Sequence, residues 1–257
     1  MATPPFEFHA LTDIGRVRAH NEDAIAVHAH AGLMLLADGM GGYNAGEVAS
    51  TLAIEHIGTQ LLPWLTSHKG RQATPEAVGA MLRQSAQQAN RAILEAAHAE
   101  PQYRGMGTTL IAGVLHGDWL ILGHAGDSRG YRLRAGALEQ LTRDHSWLQE
   151  QLDAGWLTPA QAASSHQRNL ITRALGAQGH AELDITALPT QPGDLYLLCS
   201  DGLIDQMTHA ELQELARQNA PLAEKARRMV ALANDLGGRD NISLVLAQVA
   251  QAAAPAG

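Results

Sequence analysis

The chain has 257 residues, enough to bury a sizeable core in one large domain or two small ones. Hydrophobic residues make up 46% and charged residues 17%, ordinary values for a soluble globular protein. A net charge of −8 with no basic run excludes general binding to nucleic acid or acidic membranes. No apolar stretch approaches the roughly 20 residues that span a bilayer. The opening Met1-Ala2-Thr3-Pro4-Pro5 has neither the basic nor the apolar part of a signal peptide, so a cytoplasmic protein is expected. Cys199 is the only cysteine, which excludes an intrachain disulfide and a thiolate zinc cluster. Its apolar neighbours predict a buried structural thiol.

Short runs of Val, Ile, Leu and aromatic residues, broken by Gly or Asp, predict strands near 6–13, 24–30 and 33–37. A helix over 45–62 follows, with Val48, Leu52, Ile54, Ile57 and Leu61 at helical period. Thr74 as cap and Pro75 at the first helical position start a second helix over 75–99. Strands are expected again near 107–116, 118–125, 129–134 and 137–141, with Gly117-Asp118 and Ala135-Gly136 as hairpin turns. Residues 144–176 are polar, contain Gly155 and Pro159, and hold short helical patterns near 146–154 and 159–164. Such an insertion reads as a flap over one end of the sheets. Strands near 182–187 and 194–200 precede helices over 208–218, capped by Thr208, and 222–236, ended by Gly237-Gly238. A last strand covers 242–249. Strands in groups, with helices between the groups, predict an α+β fold of antiparallel sheets covered by helices. Residues 1–250 read as one domain and 251–257 as a frayed tail.

Four aspartates stand where apolar strand-like runs meet glycine or small polar residues: Asp38, Asp127, Asp201 and Asp240. One Asp beside Gly is ordinarily a turn or cap residue, because its side chain bonds local backbone amides. Several carboxylates converging on a cleft would repel one another unless a multivalent cation neutralised them. Together they point to a hard-metal site built from oxygen. The run Gly39-Met40-Gly41-Gly42-Tyr43-Asn44 lacks the third glycine of a dinucleotide loop. None of the 13 histidines shows a zinc pattern.

Six segments then act together. They are Thr12–Asp23 with Arg18, Glu22 and Asp23; Asp38-Gly39-Met40-Gly41-Gly42; Gly107-Thr108-Thr109; Gly126-Asp127-Ser128-Arg129; Ser200-Asp201-Gly202-Leu203; and Gly238-Arg239-Asp240-Asn241-Ile242. Their order and context resemble the protein phosphatase 2C family, the metal-dependent serine/threonine phosphatases, in a compact bacterial form. The resemblance runs from about Phe8 to Val249 and implies a four-layer sandwich, two antiparallel sheets with helix pairs outside. It implies two Mg²⁺ or Mn²⁺ ions in a cleft at one end. Asp38 would bridge them, the Gly39 carbonyl would ligate the second, and Asp201 and Asp240 would complete the first. Glu22, Asp23 and Asn241 would lie close by, and Asp127 with Asp201 matches a third, weaker site. Two such ions roughly 3.5–4 Å apart can share a water, lower its pKa and aim it in line at phosphorus. Arg18 matches the arginine that binds substrate phosphate, whereas Arg129 reads better as a structural partner.

Tyr43 stands where many bacterial relatives carry histidine after Asp-Gly-Met-Gly-Gly. A phenol with a pKa near 10 is a poorer acid for the leaving alkoxide at neutral pH. His166 matches a frequent flap pattern and is a candidate to meet substrate. The function expected is hydrolysis of phosphoserine and phosphothreonine by direct water attack, with phosphoproteins, a serine/threonine kinase and its targets as partners. Two rivals are a catalytically silent phosphoprotein-binding regulator on the same fold and a small-molecule phosphomonoesterase.

Overall fold

Leu33 to Ala37 are all buried, yet alternate residues face opposite ways, as the two-residue period of a strand requires. Leu33, Leu35 and Ala37 pack toward helices, while Met34 and Leu36 pack toward a second sheet. The computed structural model describes residues 6–42, 44–158, 161–162 and 170–250. Tyr43, His166 and most of the helical pattern expected near 159–164 lie outside the described residues.

One sheet runs β1 (Phe6–Asp13), β11 (Ile242–Val249), β10 (Leu195–Cys199), β7 (Arg129–Arg134), β8 (Ala137–Gln140). The other runs β2 (Asp23–His28), β3 (Leu33–Met40), β5 (Leu110–His116), β6 (Trp119–Ala125), β9 (Asp184–Pro189), with β4 (Gly107–Thr108) paired to the end of β3. Every pairing is antiparallel. Between the sheets Met34, Leu36, Ile111 and Leu122 meet Tyr196, Leu198, Val245 and Ala247. The outer face of the second sheet is covered by α1 (Ala45–Thr66) and α3 (Pro75–Ala99), through Ile57, Leu61, Leu82 and Ile93. A single turn, α2 (His68–Arg71), joins those helices. The outer face of the first sheet is covered by α6 (His209–Arg217) and α7 (Leu222–Asp235), through Leu212, Ala216, Met229 and Ala233. The layers are therefore α-β-β-α, as the resemblance implied.

Thr74 accepts a hydrogen bond from Ala77 N–H and caps α3, and Thr208 forms a capping box with Glu211 on α6. The hairpin at Ala135-Gly136 takes left-handed φ of +50° and +80°, the geometry a two-residue turn needs. Four expectations shift. Helix α1 runs past Pro63 to Thr66, because Leu65 is buried against the core and holds the last turn. The strand expected over 107–116 breaks at Thr109, whose N–H turns to the Asp38 carbonyl. Strand β9 begins at Asp184 rather than 182, since Glu182 precedes the pairing and faces Arg173. Residues 201–204 form one helical turn, α5 (Asp201–Ile204), too short to leave a periodic signal. Within the insertion, α4 (Trp147–Asp153) is capped by Ser146. Among the described residues no helix is long and apolar enough to cross a membrane.

Candidate functional site

The strand ends at one edge of the sandwich carry the acidic residues. Asp38 lies near the end of β3 and faces Asp23 of β2 across the ladder. Asp127 sits in the turn between β6 and β7, Asp201 opens α5 two residues after the end of β10, and Asp240 lies two residues before β11. Burial holds the Asp38 carboxyl well above its ordinary pKa, and Asp23, Asp201, Asp127 and Asp240 push it further up. Asp201 is raised likewise, first by burial and then by Asp127, Asp205, Asp240 and Asp23. Burial also lifts Asp23 to about 6, against a bond from Ser200 Oγ at 2.9 Å. It lifts Asp127 to about 6, with Asp144 adding. Four buried carboxylates thus share one poorly solvated region, with the partly exposed Asp240 beside them.

The backbone there is drawn tight. The Asp38 peptide is held by Thr109: Asp38 N–H donates to Thr109 Oγ1 at 3.0 Å, and Asp38 O accepts from Thr109 N–H at 2.9 Å. Thr108 Oγ1 also donates to Asp38 O at 2.9 Å, and Thr109 Oγ1 reaches Ser128 Oγ at 2.8 Å. A Cβ at Gly39 would lie 2.1 Å from the Gly46 carbonyl oxygen and 2.6 Å from that of Glu22. Only glycine lets β3, α1 and the Glu22 segment meet this closely.

Asn241 ties the loop 14–21 to the sheet. Its Oδ1 accepts from Glu22 N–H at 2.8 Å, and its Nδ2 donates to the carbonyls of Ile14 and His20 at 3.0 and 2.9 Å. That loop presents Arg18, whose guanidinium donates to Asp240 Oδ2 at 2.6 Å. Burial works against the Arg18 charge, but Asp240, Glu22 and Asp201 outweigh it and raise the pKa. The side chain remains 47% exposed. Arg129 is committed elsewhere, gripping Asp144 through Nε at 2.8 Å and NH2 at 2.6 Å.

Among the described residues, four buried carboxylate oxygens have no hydrogen-bond partner: Glu22 Oε1, Asp23 Oδ1, Asp127 Oδ1 and Asp201 Oδ1. Each would cost a few kcal/mol left bare. Unpartnered, mutually repelling, all-oxygen donors suit Mg²⁺ or Mn²⁺. Among the described residues no three His, Cys, Asp or Glu side chains form a ready-made ion cage. A cavity of about 140 Å³ beside the cluster is lined by Asp127, Asp201, Asp144, Asp205 and Arg129, among others.

The structure brings Arg18, Glu22, Asp23, Asp38, Gly39, Asp127, Asp201, Asp240 and Asn241 to one end of the fold. Sequence reasoning missed Gly46, Asp144 and Asp205. Gly46 carries no local turn signal, and Asp144 pairs with Arg129 on another element.

Against known proteins, a family model described as protein phosphatase 2C matches residues 15–243. The serine/threonine phosphatase stp of Listeria monocytogenes is 38% identical over 240 residues, spanning 92% of this chain and 93% of the relative. A crystal structure of the Mycobacterium tuberculosis serine/threonine phosphatase PstP/Ppp superposes with a TM-score of 0.87 at 40% identity, covering 96% of this chain and 99% of that one. A crystal structure of the PstP catalytic domain in complex with two manganese ions superposes with a TM-score of 0.83 at 39% identity, covering 96% and 99%.

Proposed function

The chain belongs to the protein phosphatase 2C family of metal-dependent serine/threonine phosphatases, and from that premise we propose that its acidic cleft hydrolyses phosphoserine and phosphothreonine in proteins. One observation carries the reading: buried carboxylate oxygens without partners gather at the strand ends while Arg18 stands half-exposed beside them. In this assignment Asp38, the Gly39 carbonyl, Asp201 and Asp240 would hold two divalent ions, Mn²⁺ or Mg²⁺. Asp127 with Asp201 would hold a third, weaker one. When bound, the ions offset the carboxylate charge and acidify the water that attacks phosphorus.

The chain's own groups do the rest. Arg18 grips two phosphate oxygens with its planar guanidinium and offsets charge that grows in the transition state. Its bond to Asp240 fixes the side chain before substrate arrives. Asn241 holds the loop from which Arg18 projects. Glu22 and Asp23 each keep one buried oxygen without a hydrogen-bond partner. Cys199 is fully buried with its thiol pushed up to about 12 by that burial, so no cysteinyl-phosphate step enters. The proposed partners are cytoplasmic phosphoproteins, first a serine/threonine kinase and its targets.

Phosphate release from phosphoserine and phosphothreonine peptides and from small phosphorylated metabolites tests the reading, with Mn²⁺, Mg²⁺ or chelator present. Peptide hydrolysis that needs the ion, and an Arg18→Ala variant whose KM rises at constant metal affinity, are the expected outcomes. Faster turnover of metabolites would make the chain a phosphomonoesterase. Phosphopeptide binding without turnover would make it a regulator.

A further inference from the structure

The Asp127 carboxylate has one oxygen without a hydrogen-bond partner, so its aim depends on how the backbone around it is held. On one side Ser128 is tied to Thr109. On the other, Gly126 adopts φ +113°, and a Cβ there would lie 2.6 Å from the Thr109 side chain. Such a peptide needs an external hold, and His145 supplies it at two points. The Gly126 N–H donates to His145 Nδ1 at 3.1 Å, and the His145 N–H donates to Gly126 O at 2.8 Å.

The imidazole is itself locked. Since Nδ1 accepts from Gly126, the ring proton resides on Nε2, which donates to Asp184 Oδ2 at 3.0 Å. Arg173 NH1 donates to the other oxygen of Asp184, also at 3.0 Å, and passes 3.3 Å from Nε2. His124 stacks on the ring with centroids 4.8 Å apart. Burial and the neighbouring His145 push His124 down to about 4, which keeps it uncharged. The His145 carbonyl accepts from Thr172 N–H at 2.9 Å, joining the two ends of the 144–176 insertion. His145 is 3% exposed, so the ring sits among protein groups rather than in solvent.

We propose that His145 is a positioning residue for the phosphatase reaction: its Nδ1 holds the Gly126 peptide and thereby aims Asp127, while Asp184 and Arg173 fix the ring. This rests on the phosphatase reading above. Among single substitutions, Asn places an amide oxygen where Nδ1 stands and can still accept from Gly126. Gln reaches instead toward the Nε2 position and abandons Gly126. A merely structural histidine would not separate the two.

The experiment compares His145→Ala, His145→Asn and His145→Gln for kcat and KM on a phosphothreonine peptide, at matched folded fraction by thermal unfolding. Ala and Gln are expected to lower kcat about tenfold with KM within about twofold, whereas Asn stays within about threefold of the parent. Long-range ¹H–¹⁵N spectra of the unmodified protein should show His145 protonated at Nε2 and bare at Nδ1. Unchanged kcat in folded His145→Ala, an Asn variant no better than Gln, or a protonated Nδ1 would each overturn the proposal. If His145→Ala does not fold, the Asn–Gln comparison and the spectrum still decide. A parent protein inert toward every phosphopeptide would sink the phosphatase reading, while the spectrum would still judge the Gly126 contact.

Discussion

Asn241→Ala removes the clamp between the last strand and the loop that carries Arg18. The amide can satisfy all three of its partners in only one orientation, with Oδ1 toward Glu22 N–H and Nδ2 toward the carbonyls of Ile14 and His20. Three hydrogen bonds at about 0.5–1.5 kcal/mol each give a loss of about 1.5–4.5 kcal/mol. Ile14 and His20 are exposed, so water can replace part of what their carbonyls lose, and about 2–3 kcal/mol is expected. For a chain of this size that lowers Tm by roughly 4–12 °C. Asn241→Asp should be at least as harmful without divalent ions. It keeps the acceptor for Glu22 but turns an anion toward two carbonyls, beside Asp240. Scanning calorimetry measures the shift, and phosphopeptide kinetics should show KM rising as the Arg18 loop loosens. A Tm within about 1 °C of the parent together with an unchanged KM would refute the clamp.

Two further perturbations probe the same end of the fold. Asp23 has its pKa raised to about 6, first by burial, so in the ion-free protein its ionisation opposes folding. That penalty is absent below about 4, grows as pH rises, and is complete above about 6. With chelator present, Asp23→Asn should therefore gain stability over the parent on going from pH 4 to pH 7, by about 2–3 kcal/mol in urea unfolding. A difference that does not change with pH would contradict the burial argument. Gly46→Ala would place its Cβ 2.7 Å from Glu22 Oε1 and 2.8 Å from the Gly39 carbonyl carbon. It should cost about 1–3 kcal/mol and most of the activity. Gly58→Ala, in the same helix with nothing nearer than 3.8 Å, should instead stabilise by about 0.5–1 kcal/mol.

The strands were legible because each is a short apolar run stopped by Gly or Asp, and the long helices announced themselves, the first through its apolar period and the second through its Thr74 cap and Pro75. Helix α1 outran its expected end because tertiary burial of Leu65 outweighs the missing N–H of Pro63, which no local pattern encodes. The acidic residues were legible for a different reason: each stands at a strand end with distinctive neighbours. What holds them was not. The grip of Thr109 on Asp38 spans 71 positions and that of Asn241 on Glu22 spans 219. The pairing of Arg129 with Asp144 crosses a hairpin. His145 looked like one histidine among many, since its partners Gly126 and Asp184 lie 19 and 39 positions away.

The central claim is that Asp38, Asp201 and Asp240 form a divalent-ion site that drives phosphate hydrolysis. Mn²⁺ titration by calorimetry tests it most directly, on the parent and on Asp201→Asn, Asp240→Asn and Asp127→Ala, each checked for folding by circular dichroism. The account predicts tight binding of two ions to the parent, clear weakening in Asp201→Asn and Asp240→Asn, and both tight sites kept in Asp127→Ala with slower turnover. An Asp201→Asn isotherm that overlays the parent's, or loss of all binding in Asp127→Ala, would contradict it.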